Sequence, residues 1–107
     1  MSPARSTLIG FALLAAAAAL APARAQAQTR QVCENLKAAV EEAGGTLDDV
    51  CRVDVYVRNM EHFDTIHKVR REYFKAPAPA STMVEVCKMT SPEYLIEINA
   101  IAVLPDA

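Results

Sequence analysis

Tryptophan is missing from this sequence, only 6% of its residues are aromatic, and neither sign of charge dominates, the formal net charge being −2 over 107 residues. An acidic balance without a basic stripe argues against nucleic acid as a partner. The three cysteines, Cys33, Cys51 and Cys87, show no CxxC spacing, which argues against a zinc site or a dithiol redox motif. The two histidines, His62 and His67, stand five apart rather than four, so on a helix they are not a metal-binding pair. The longest apolar run, Leu8 to Ala21, is about 14 residues, short of the roughly 20 that a membrane-crossing helix needs.

That run has a different use. With Arg5 before it and Ala23-Arg24-Ala25 after it, it has the outline of a secretory signal peptide with a small-x-small cleavage pattern. The expected division is a leader over residues 1–25 and one domain over residues 26–107. Cleavage removes Arg5 and Arg24, makes the product more acidic and leaves no stable membrane span. The product is then periplasmic or secreted; the competing readings are an uncleaved N-terminal anchor or an Ala-rich helix from a misplaced start, and the alternative location is the cytoplasm. A domain of roughly 80 residues has a modest core, which favours association with other subunits.

Past the leader, Val32, Leu36, Ala39, Val40 and Ala43 recur at three- and four-residue steps opposite Arg30, Glu34, Lys37, Glu41 and Glu42. The pattern predicts an amphipathic helix from Thr29 to Ala43. Gly44-Gly45 stops it. Cys51, Val53, Val55 and Val57 alternate with Arg52, Asp54 and Tyr56, as in a strand with one buried face. Asn59 is placed to cap a second helix from Glu61 to about Phe74, with Phe63, Ile66, Val69, Tyr73 and Phe74 as its stripe. Pro77-Ala78-Pro79 ends that helix, and Thr82 to Cys87 follows as another strand. All three cysteines read as small buried hydrophobes.

The most apolar stretch is Leu95 to Val103, read as a strand buried on both faces and organising the rest. A single carboxylate, Glu97, interrupts it. An unpaired buried charge is costly, so Glu97 has a partner, lines a cleft or points at another subunit. The order helix, strand, helix, strand, strand predicts an α+β domain with both helices on one face of a mixed sheet. The other face then carries apolar side chains and is expected to pack against further copies.

Leu36-Lys37, Ala43-Gly44-Gly45, Val53-Asp54-Val55-Tyr56-Val57, Glu72-Tyr73-Phe74 and Ile96-Glu97-Ile98-Asn99-Ala100-Ile101-Ala102 are among an ordered set of short matches over about residues 26–105. As a set they resemble the RidA (YjgF) family of reactive imine deaminases. The resemblance implies a chorismate-mutase-like fold, a homotrimer with ligand clefts between subunits, and no metal or organic cofactor. It also implies hydrolysis of 2-imino acids such as 2-iminobutanoate and 2-iminopropanoate to a 2-keto acid and ammonia. By resemblance, Glu97 orients the attacking water, and His67 falls where the family often has asparagine at the cleft edge.

Two departures accompany the match. The family's Pro-Ala-Arg-Ser, whose arginine holds the substrate carboxylate, corresponds here to Pro79-Ala80-Ser81-Thr82. Ser81 thus stands at the arginine position with Thr82 beside it, and a hydroxyl cannot supply the bidentate grip of a guanidinium. Lys75, Lys88 and Arg70 are other cations, but the sequence does not bring them there. Second, the leader stands where the family has a β-hairpin and a further strand, so the 95–103 strand is expected to be an edge. Two functions follow: a deaminase with an altered carboxylate clamp, or a non-catalytic trimer that binds a small metabolite or a protein.

Overall fold

A computed structural model describes residues 21–106. Most of the leader lies outside the described residues. The elements are α1 (Ala21–Glu42), β1 (Val50–Val57), α2 (Phe63–Tyr73), β2 (Ala80–Glu85) and β3 (Ile96–Ala102), with 3₁₀ turns at Leu47–Asp49 and Met60–His62. None of the described helices is long and apolar enough to cross a membrane. The α+β order and the helices' common face agree with the sequence pattern.

α1 starts earlier than expected, and Ala25 is buried with its carbonyl accepting the Thr29 hydroxyl at 2.7 Å. The helix stops as its glycines dictate. Gly44 sits at φ +101°, its N–H reaching Glu41 and that of Gly45 reaching Val40, the paired bonds of a Schellman end. Thr46 and Asp49 then exchange bonds in a capping box, which turns the chain into β1. Asn59 accepts from the Glu61 N–H and starts the turn into α2.

The sheet order is β2-β1-β3, with β1 parallel to β2 and antiparallel to β3. The central strand is therefore β1, and β3 lies at an edge of the described sheet. Val53, Val55 and Val57 point to the helices and form the core with Ile96, Ile98, Ile66 and Cys33. β3 is buried on one face only: Ile96 and Ile98 face inward, whereas Glu97, Asn99 and Ile101 are exposed. The expectation of burial on both faces fails because both helices lie on the same side.

β1 also departs from strict alternation. Val50 stands opposite Ala102 and Arg52 opposite Ile101, so Cys51 is an extra residue in a bulge. Val50 takes the inward place that alternation gives to Cys51, and Cys51 is exposed with its thiol 3.5 Å from the Ile101 carbonyl. Cys87 lies beyond the end of β2 and is exposed as well. Of the three thiols only Cys33 is buried, and burial pushes its pKa up to about 11.

Gly44→Ala is expected to cost about 1–2 kcal/mol in urea denaturation, the penalty of a Cβ in the left-handed region. A maleimide is expected to modify Cys33 only as the chain unfolds, while Cys51 and Cys87 react first, as peptide mass mapping would read out. Because the unfolded chain releases the Cys33 proton first, stability is expected to fall as pH rises from the ordinary thiol range, near 8.5, toward 11.

Candidate functional site

Alternation on the three strands puts Arg52, Asp54, Tyr56, Thr82 and Glu97 on the face without helices. Glu97 stands opposite Tyr56 in the β1–β3 ladder, and Asp54 lies between Asn99 and Thr82. Arg52 reaches along its own strand to Asp54 at 3.3 Å. Among the described residues, Glu97 forms no ion pair. Glu97 is also among the residues lining a largely apolar cavity of about 610 Å³ between the β3 edge and α1, together with Arg24, Gln31, Asn35 and Tyr94.

The chain leading into β3 is fixed by a residue that sequence reasoning did not single out. The Gln28 side chain donates through Nε2 to the Glu93 carbonyl at 2.9 Å and accepts the Leu95 N–H at 2.8 Å. Both ends of one neutral amide thus bind backbone, tying α1 to the segment that flanks Glu97. On the other side of α1, Arg30 pairs with Glu72 at 2.8 Å and Glu34 accepts the Tyr73 hydroxyl. The hydrogen bond to Glu34 raises the Tyr73 pKa, and that to Glu72 raises the Arg30 pKa.

Ser81 and His67 meet elsewhere. Both line a cavity of about 310 Å³ between α2 and β2, on the helix side of the sheet. His67 stacks on Phe63, ring centres 5.2 Å apart and planes 11° from parallel. Ser81 accepts a hydrogen bond from Nη2 of Arg70 at 2.7 Å. Arg70 is only 9% exposed and its Nε has no partner. Burial lowers its pKa, but an arginine stays charged at neutral pH.

The expected site residues therefore fall into two groups within a protomer. Ser81 and His67 share one cavity, Glu97 borders another, and Thr82 shares the face of Glu97 rather than that of Ser81. Arg70 is the cation that joins Ser81. Its sequence signal is a charge four residues after buried Ile66 and next to buried Val69, on the stripe that faces inward. Among the described residues no group of three or more His, Cys, Asp or Glu side chains gathers as a metal site.

Known proteins share this arrangement of elements. The family model described as Endoribonuclease L-PSP matches residues 10–104. A RutC family protein of Pyrococcus horikoshii is 48% identical over 75 residues, which is 70% of this chain and 59% of that protein. The solved structure of RidA from the Antarctic bacterium Psychrobacter superimposes with a TM-score of 0.70 at 33% identity, covering 74% of this chain and 63% of that one. A member of the YjgF/YER057c/UK114 family from Mycobacterium tuberculosis gives a TM-score of 0.68 at 33% identity, covering 71% and 64%. The chain spans about three fifths of the length of the curated relatives that it matches. A helix, a strand, a second helix and two more strands in this order and register, matched along nearly the whole sequence, place the chain in the RidA/YjgF (Endoribonuclease L-PSP) family.

Proposed function

We propose that this protein hydrolyses small 2-imino acids to 2-keto acids and ammonia, in clefts formed between copies of the chain. The observation that carries the reading is Glu97, a carboxylate with no ion-pair partner among the described residues, carried by a strand residue that lines a largely apolar cavity. In such a place a carboxylate accepts a proton from water as the water oxygen bonds to the imine carbon. The C=N bond becomes a C–N single bond as that proton passes to nitrogen; the hydroxyl proton of the resulting carbinolamine then moves to nitrogen as well, the C–N bond breaks, and ammonia leaves as the carbonyl forms. Water supplies the oxygen, and no electrons are gained or lost.

Association supplies what one protomer lacks. Glu97 and Ser81 lie on opposite faces of the sheet, so a site using both draws them from different copies. The face without helices exposes Val84, and Ile101 there is 54% exposed, a patch suited to burial against another subunit. Ribonuclease chemistry, named in the family description, has less support: the sequence pI is about 5.6 and Arg52 on that face pairs with Asp54. Ser81 in place of an arginine favours the second reading, a trimer that binds the same small acids without turning them over.

The test is ammonia release by the purified full chain from 2-iminobutanoate made in situ by an amino-acid oxidase. A rate above the buffer background is expected, with Glu97→Gln reducing it by about 10²–10⁴-fold, the usual contribution of a positioned acid–base group. Release at the background rate from folded protein would leave the binding reading. The leader and export outside the cytoplasm belong to this proposal too. Intact mass of the exported protein is expected to begin at Gln26, and a mass beginning at Met1 would overturn export by cleavage.

A further inference from the structure

Among the described residues, Nε of Arg70 is the one buried side-chain nitrogen or oxygen without a hydrogen-bond partner. A guanidinium offers five N–H donors. Here one of them reaches Ser81 Oγ at 2.7 Å, Nε is buried without a partner, and the described ion pairs involve Arg30 and Arg52 instead. A buried cation without an anion is costly and is kept where an anion completes it. The cavity it borders carries the same sign: Arg71 and His67 also line it, and none of its lining residues is acidic, in a chain of net charge −2. Phe63, Phe74 and Met83 make up much of the rest of the wall.

From this we infer that Arg70 and Ser81 form an anion subsite for the carboxylate of a small organic acid whose apolar body lies against Phe63 and Phe74. Ser81 holds one edge of the guanidinium, fixing its plane and leaving the remaining N–H groups for the two carboxylate oxygens. A volume of about 310 Å³ is at the lower end for small-molecule sites, and an apolar wall disfavours a fully hydrated ion such as phosphate. The guanidinium that the strand lacks at position 81 is thus delivered to it from α2. That the acid is a 2-imino acid rests on the deaminase reading; the anion subsite itself does not.

Binding of 2-oxobutanoate, which is not turned over, tests the subsite separately from catalysis. Titration of the full chain followed by amide NMR is expected to shift the Ser81 and Arg70 resonances. Arg70→Met is expected to weaken binding at least tenfold while raising the melting temperature, since it removes an unpaired buried charge; an arginine with a structural role would lower it. Returning the guanidinium to the strand in Arg70→Met/Ser81→Arg is expected to recover most of the affinity. Unchanged binding by Arg70→Met, no recovery in the double variant, or equal binding of inorganic phosphate would each overturn the inference. Retained 2-oxobutanoate binding without ammonia release would support the subsite and sink the deaminase.

Discussion

Everything in this domain hangs on the double pairing of β1. Its eight residues bond in parallel to β2 on one side and antiparallel to β3 on the other. Val53, Val55 and Val57 carry the core on one face, and Arg52, Asp54 and Tyr56 set the polar pattern on the other. Because side-chain direction alternates strictly downstream of Arg52, the ladder also decides where the chemistry goes. Thr82 and Glu97 are sent to the open face, Ser81 and Met83 to the helices.

That division explains why a single protomer looks half built. Glu97 forms no ion pair on the open face, and Arg70 forms none under the helices, so two charged groups on opposite sides of the sheet are left without a counter-ion among the described residues. Neither charge is an accident of surface composition. Glu97 interrupts an apolar strand, and Arg70 interrupts an apolar helical stripe. In both places local pattern would be better served by an aliphatic residue. Positions where a sequence breaks its own rule are where function is sought.

Much of the fold was legible because it rests on local rules. Gly44 could end α1 only by taking a positive φ, Asn59 had a free amide N–H to cap, and the valines of β1 had period two. What sequence hid was relational. The apolar density of 95–103 suggested burial on both faces, but density does not report which face the helices cover, and β3 is the edge strand, buried on one face only. Alternation put Cys51 inside because period-two counting has no means of registering an extra residue. Glu97 was legible as a charge in an apolar run. Arg70 was legible only as a charge on the inward stripe of its helix; that it meets Ser81 was not, since Ser81 lies on the next element.

The bulge at Cys51 bears on how such a chain can change length. Two residues of β1 stand there against one of β3, so Val50 already occupies the inward place opposite Ala102. A chain shorter by Cys51 would set Val50 next to Arg52 with the same partner and the same direction, and the three core valines would keep their register. The site is a slack point in an otherwise rigid ladder: a residue can be gained or lost there without turning the sheet inside out.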